Sequence, residues 1–387
     1  MAQRRKSPSR KKGVAAVLLY ADTERNADQL YFSGFHVPDA FISMRVGRRK
    51  VGVLSTLEFG RALKESAFDE VLSLEDWQEA TRAKLGCERP RAAEVIAMLA
   101  RKFGVKRFEV PQDFPHALAL RLAGLGVAVK PVEGAIFPER EAKTEAETKA
   151  IIRGNRCSAA GIAAAEDALR RAVVQKGKLH LDGRPLTSER VREAVEIACL
   201  RAGGMSPHTI VAGGDQACDP HCRGTGVLRA GELIIVDVFP RISATGYHGD
   251  MTRTFLKGPP SEAQVRLVGT VRAAQKVAIG AIRAGAHGLR VHRRVVRFVE
   301  EAGYVTTRGA GAPTGFFHGT GHGLGLEVHE APGIGKMGTP LRNGAVVTVE
   351  PGLYYPGLGG CRIEDVVQVT RDGARMLSRY PYRWVLP

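Results

Sequence analysis

The 387-residue chain has no apolar run near the roughly 18 residues needed to cross a bilayer, and its first apolar patch, Val14 to Leu19, stops far short. No membrane partner is expected. The chain also lacks the apolar core and small-residue cleavage site of a secretory leader. Met1 to Gly13 holds Arg4, Arg5, Lys6, Arg10, Lys11 and Lys12 with no acid, and reads as a basic flexible tail over residues 1–13. Cysteine is sparse, six in all and dispersed, which argues against a disulfide-built scaffold and favours reduced thiols in a cytoplasm. Cys218 and Cys222 flank His221, but Cys-x3-Cys without a second pair is a weak zinc signal and reads as two small side chains beside a loop. Acids are outnumbered 40 to 57 by Lys and Arg, for a net charge of +17. That charge raises a polyanion as partner. The basic residues are scattered, with neither aromatic-basic interleaving nor zinc-finger spacing, so no specific nucleic-acid recognition is expected.

What is present is the patterning of a two-domain globular chain, 44% hydrophobic and too long for one small core. Val17 to Tyr20, Phe41 to Val46, Val51 to Leu54, Arg107 to Val110 and Val127 to Val132 read as strands, and Ala92 to Phe103 has helical spacing. Residues 14–140 therefore form an α/β domain, with no convergent set of catalytic side chains. The boundary falls near Gly134 to Lys143, and residues 141–387 form the second domain. There Thr144 and Glu147 make a capping box for a helix whose apolar face runs from Ile151 to Leu169. Gly177 to Pro185 reads as a turn-rich connection, and a second helix spans Ser188 to Ala202. Strands follow at His208 to Val211, Leu233 to Phe239 and Asp250 to Leu256. Then come helices at Ser261 to Ile282 and Leu289 to Ala302, and strands at Ala345 to Glu350 and Arg362 to Thr370. Two helices followed by strands occur twice, pointing to two similar halves around a shared cleft.

The chemistry is concentrated in Phe317 to Glu330, where His318, His322 and His329 stand among glycines. Four carboxylates elsewhere lie in or beside runs that demand burial: Asp237 in Glu232 to Phe239, Asp250 before Thr252-Arg253-Thr254, Glu350 after Ala345 to Val349, and Glu364 between Ile363 and Val366-Val367. A buried carboxylate needs a cation or a full set of hydrogen bonds. With His322 these residues offer four oxygen donors and one nitrogen donor, a mixture suited to Mn, Co, Zn or Fe(II). Bridging carboxylates can hold two ions about 3.5 Å apart and acidify a shared water.

At these residues the chain resembles the pita-bread metallopeptidase family, which contains methionine aminopeptidases, Xaa-Pro aminopeptidases and prolidases. The matching features are an aspartate closing a strand (Asp237), one before Thr-Arg-Thr (Asp250), a histidine in Gly-His-Gly-x-Gly (His322), and glutamates in Glu-Pro-Gly (Glu350) and Arg-x-Glu-Asp (Glu364). The match covers Thr144 to Arg371. Leu30 to Phe35 and the segment Arg140 to Lys143 are similar to the amino-terminal domain of proline-directed and creatinase-like members. The resemblance implies an α/β amino-terminal domain followed by an α+β pita-bread domain, with pseudo-twofold halves around a curved, mainly antiparallel sheet. It implies Asp237 binding one ion through both oxygens, Asp250 and Glu364 bridging, and His322 and Glu350 completing the second site, with Mn favoured. It further implies catalytic roles for His221, His329, Glu350, His318 and Arg362. The activity implied is hydrolysis of the bond between an amino-terminal residue and proline by a water activated between the ions. Short peptides with proline second would be the substrates, and the protein would be a homodimer. The alternatives are an Xaa-Pro dipeptidase restricted to dipeptides, and a non-catalytic polyanion- or RNA-associated protein of the same fold. The spacing from Asp237 to Asp250 is longer than is usual in the family, which a longer hairpin loop absorbs.

Overall fold

The computed structural model describes residues 15–308 and 311–387. The basic segment 1–13 lies outside the described residues. The chain divides into two units, one ending at Pro138 and one beginning at Glu139.

In the first unit, β1 (Ala16–Ala21), β2 (Phe41–Val46), β3 (Arg49–Leu54), β4 (Glu70–Ser73), β5 (Arg107–Val110) and β6 (Ala128–Pro131) form one sheet in the order β4-β3-β2-β1-β5-β6. The β1/β2 and β2/β3 pairs are antiparallel; β3/β4, β1/β5 and β5/β6 are parallel. The helices are α1 (Ala27–Ser33), α2 (Thr56–Glu65), α3 (Leu74–Leu85), α4 (Ala92–Phe103) and α5 (His116–Gly124). Helix α4 buries Val95, Ile96 and Leu99 against Leu18, Ile42, Met44 and Val53 of the sheet. Each such fully buried aliphatic side chain contributes about 1.5–3 kcal/mol.

The second unit opens with α6 (Glu145–Arg171), capped by the reciprocal Thr144/Glu147 box expected from the sequence. The connection expected over Gly177 to Pro185 carries strands as well as turns: β7 (Val173–Gln175), β8 (Lys178–Leu181) and β9 (Arg184–Pro185) form a small sheet, its strands too short for periodicity to reveal. Helix α7 (Ser188–Arg201) and the short strand β10 (Gly204–Met205) follow. Next come β11 (Ile210–Gly213), β12 (Leu233–Val238), β13 (Arg241–Ile242) and β14 (Met251–Lys257). The pattern then repeats with α8 (Glu262–Ala281) and α9 (Gly288–Glu301). After them lie β15 (Gly321–Gly323), β16 (Glu330–Ile334), β17 (Val346–Val349), β18 (Gly352–Tyr355), β19 (Gly359–Arg362), β20 (Asp365–Val369), β21 (Ala374–Met376) and β22 (Val385–Leu386). The two larger sheets run β11-β12-β14-β22 and β16-β15-β17-β20-β21. Ile162, Leu169 and Val195 of α6 and α7 pack on Val236, Val238 and Phe255. Leu267, Val271 and Val295 of α8 and α9 pack on Val347, Val349 and Val367. Each half thus has a helix-covered sheet face and an opposite face left for other work.

Candidate active site

The carboxylates sit where strands end or change partner. Asp237 is next to last in the wholly buried strand β12. Strict alternation puts Val236 and Val238 into the helix-side core and turns Asp237, with Ile235, to the other face. Asp250 immediately precedes β14. Its backbone N–H donates to Asn155 Oδ1 at 3.0 Å, and Asn155 Nδ2 donates to Leu377 O at 3.2 Å. Helix α6 comes this close only because Gly154 and Gly249 have no side chains: a Cβ on Gly249 would lie 2.0 Å from the Gly154 carbonyl carbon. His322 is central in β15, with its N–H on Thr348 Oγ1 at 3.1 Å. Glu350 follows β17 and donates its N–H to Thr320 O at 2.8 Å.

Glu364 occupies a break between β19 and β20, within what the sequence suggests is one strand from Arg362 to Thr370. β19 pairs with β18 and β20 with β17, so the chain changes partner here. The Glu364 N–H bonds Thr252 O at 3.1 Å, and Oε2 accepts from Thr252 Oγ1 at 2.8 Å. Thr254 Oγ1 donates to Arg362 O at 2.9 Å. Arg253, on the opposite face of β14, pairs with Asp365 at 3.0 Å. The Thr-Arg-Thr and Arg-x-Glu-Asp segments are thus two sides of one clasp.

Ligating atoms of Asp250, His322 and Glu364 lie within 4.8 Å of one another. His322 Nε2 is 3.5 Å from Glu350 Oε1 and 3.8 Å from Asp250 Oδ2. Arg362 Nη2 donates to Asp237 Oδ2 at 2.7 Å and Nη1 to the Tyr354 hydroxyl at 3.1 Å. His318 Nε2 is 2.8 Å from the same hydroxyl. His329 stands edge-on to His322, with centroids 4.3 Å apart. The backbone N–H of His221 is held on Asp219 Oδ1 at 3.1 Å. Asp237, Asp250, Glu350, Glu364, His221, His318, His322, His329 and Arg362 all line one cavity of about 590 Å³, with Ile210, Phe239, Phe317 and Val328 supplying apolar wall.

The electrostatics are unbalanced. Burial, then repulsion from Asp237 and Glu350, holds Asp250 well above the carboxylate range; burial, then Asp250, Glu350 and Asp237, does the same to Glu364. Burial pushes Glu350 up to about 7 against the opposing charge of Arg362. Burial lowers His322 and His329, and takes His318 down to about 3 with help from Arg362. Neutral imidazoles keep a lone pair available for a proton or a metal. Asp237 Oδ1 and Glu364 Oε1 are buried with no hydrogen-bond partner among the described residues. Orphaned oxygens amid mutually repelling carboxylates are what a bound cation would satisfy, so the donor set fits divalent metal. The resemblance implies both oxygens of Asp237 as ligands; here Oδ2 is taken by Arg362 and Oδ1 is free.

Four residues escape sequence reasoning. Asn155 reads as one polar residue in a helix, and Asp365 as a companion of Glu364. Tyr354, buried in β18, reads as core, although a phenol so placed needs a polar partner. His292, which reads as an isolated histidine, is buried and 2.9 Å from Thr320 Oγ1.

The model of metallopeptidase family M24 matches residues 149–371, more than half of the chain. The chain belongs to metallopeptidase family M24. It is 38% identical over 180 residues to the putative dipeptidase YkvY of Bacillus subtilis, covering 46% of this chain and 47% of that protein. It is 35% identical over 193 residues to the Xaa-Pro dipeptidase of Pyrococcus furiosus, covering 49% and 53% respectively. These matches span about half the length of the curated relatives. Among solved structures, the X-Pro aminopeptidase of Thermotoga maritima superposes with a TM-score of 0.80 over 96% of this chain and 98% of that one, at 24% identity. The M24 chain accordingly has the two-domain architecture of that fold, a mixed α/β unit and a pita-bread unit.

Proposed function

We propose that this protein is a metal-dependent exopeptidase that hydrolyses the bond between an amino-terminal residue and proline. The observation that carries the reading is the convergence of three buried carboxylates, the half-buried Glu350 and His322, with Asp237 Oδ1 and Glu364 Oε1 left without partners among the described residues. Asp237 through Oδ1, Asp250, His322, Glu350 and Glu364 would hold two divalent ions, Mn favoured and Co, Zn or Fe accepted by the same donors. When bound, such ions lower the pKa of water and polarise a carbonyl. The chain's own residues do the rest. Glu350, 3.5 Å from His322 Nε2 and lining the same cavity, takes a proton from water and delivers it to the leaving nitrogen. His329 and His221 offer imidazole N–H groups to the carbonyl oxygen as it gains charge, which favours the transition state over the ground state. Arg362, fixed by Asp237 and Tyr354, and His318, fixed by Tyr354, form a rigid wall against which substrate is oriented. Phe317, Phe239 and Val328 offer an apolar surface suited to a proline ring. The names of the Pyrococcus and Thermotoga relatives support proline as the directing residue. Restriction to dipeptides is the alternative within this reading.

Six free cysteines support a reducing cytoplasm, and the family resemblance supports a homodimer. The deciding experiment loads the purified protein separately with Mn, Co, Zn and Fe(II) and assays Xaa-Pro dipeptides beside Xaa-Pro-Yaa peptides. Turnover requiring metal and proline is expected. Stoichiometric metal without turnover of either peptide class would move the protein to the non-catalytic reading.

A further inference from the structure

The segment carrying His329 is irregular from Leu324 to His329, between β15 and β16. The His329 ring has its edge-on contact with His322 but no hydrogen bond among the described residues. Something else must fix its position, and the next residue offers the means. The Glu330 side chain is only 8% exposed; Oε1 accepts from Lys143 Nζ at 2.6 Å and Oε2 from Arg140 Nη2 at 2.8 Å. Glu330 Oε2 is also 3.4 Å from the Glu327 N–H, inside the same loop. Arg140 Nη2 reaches Glu327 Oε2 as well, at 2.9 Å. Gly325 shows how tightly the loop wraps this carboxylate, since a Cβ there would lie 2.5 Å from Glu330 Oε1. Lys143 is itself anchored, its N–H on Gly344 O at 3.0 Å and Ala142 bridging Ala345 just before β17.

We propose that Glu330, clamped by Lys143 and Arg140, is a positioning residue that holds His329 against His322. Buried ion pairs are poor sources of net stability but strong constraints on geometry. The carboxylate lies at the centre of the loop and its cationic partners lie outside it, so the clamp fixes the loop as a body. The geometric claim stands alone, while its catalytic consequence rests on the peptidase reading above.

The test uses the metal-loaded full chain with Glu330→Gln, Lys143→Met, Lys143→Arg, His329→Ala and the double variant Glu330→Gln/His329→Ala. Turnover of an Xaa-Pro dipeptide should fall about 10- to 100-fold in Glu330→Gln and Lys143→Met, the effect of displacing a reacting group by roughly 1 Å. Metal content and KM should stay unchanged, and Lys143→Arg should retain activity. In the His329→Ala background Glu330→Gln should cost less than about 2-fold, because the residue through which it acts is gone. A second readout needs no turnover: the rate at which diethyl pyrocarbonate modifies His329, followed by peptide mass spectrometry. It should rise several-fold in Glu330→Gln and Lys143→Met and stay level in Lys143→Arg. Multiplicative losses in the double variant, or an unaltered modification rate in both charge-removing variants, overturn the proposal. Wild-type protein that turns over no peptide while the modification rates change as expected would sink the peptidase reading and uphold the clamp. If Glu330→Gln does not fold, Lys143→Met carries both readouts.

Discussion

Glu364 and Asp365 are neighbours in the chain and both are buried, yet their surroundings are opposite. Asp365 is saturated: Oδ1 accepts from Arg253 at 3.0 Å and Ser378 at 2.8 Å, and Oδ2 from Gln275 at 3.0 Å and Tyr382 at 2.8 Å. Glu364 has one donor, Thr252, one orphaned oxygen, and three other carboxylates pressing its pKa upward after burial itself. The strand break between β19 and β20 and the alternation of strand faces send the two side chains to different environments. Burial of an acid therefore says little about its role. The state of its lone pairs separates a structural pair from a site awaiting charge.

The contrast is broken most severely at Glu364. Glu364→Gln keeps the shape and removes the charge; it should lower turnover on the order of 10³-fold or more by weakening metal retention. The metal-stripped protein should be no less stable, since a repelling carboxylate is gone. Steady-state kinetics, metal analysis and urea unfolding of the same preparation check both halves. Arg253→Met is the complementary substitution. It leaves Asp365 without its cation and should cost about 3–5 kcal/mol of folding stability, read by urea unfolding, because one partner of a buried pair remains uncompensated. Adding Mn to stripped protein at 100 times its Kd should stabilise the wild type by about 2.7 kcal/mol for each ion bound. The same increment should appear in Arg253→Met and be absent from Glu364→Gln. An equal increment in all three would place the metal elsewhere.

Glu364 stands out in the sequence as a charge between apolar residues, whereas Asp365 reads only as its companion, and nothing local marks the difference between them. Asp237, Asp250, Glu350 and Glu364 announce themselves because hydrophobic neighbours demand burial, and His322 because glycines surround it. Helices α4, α6, α8 and α9 are legible because their apolar spacing and caps are local. The break at Glu364 leaves no trace in hydrophobicity, since Ile363 before the acid pair and Val366-Val367 after it are apolar whichever strand they pair with. Asn155, Tyr354 and Lys143 are invisible for another reason. Asp250 and Glu330, the partners of Asn155 and Lys143, lie at unrelated points of the chain, and only the packing of α6 against β14, and of the start of the second unit against the His329 loop, brings them together; Tyr354 meets Arg362 across the β18/β19 hairpin, whose pairing apolar periodicity does not reveal.

Glu147 supplies the smallest test, as a carboxylate that is satisfied without a dedicated cation. At the third position of α6 it accepts from the Thr144 backbone at 2.8 Å and from Tyr247 at 2.7 Å. Burial raises its pKa, but the hydrogen bonds from Thr144 and Tyr247 and the charge of Lys143 outweigh that and leave it lowered. A carboxyl with a lowered pKa in the folded state adds stability above its ordinary range and loses it as pH falls through the folded value. Glu147→Gln should therefore cost about 0.5–1 kcal/mol at pH 7, the scale of a weakened cap. The gap to wild type should close as pH falls below the ordinary glutamate range and through the lowered folded value, where the glutamate takes up its proton. Urea unfolding at pH 7 and in acid decides the matter. A gap that persisted in acid would put the effect in cap geometry, and Glu147 would then contribute shape where Asp365 contributes charge.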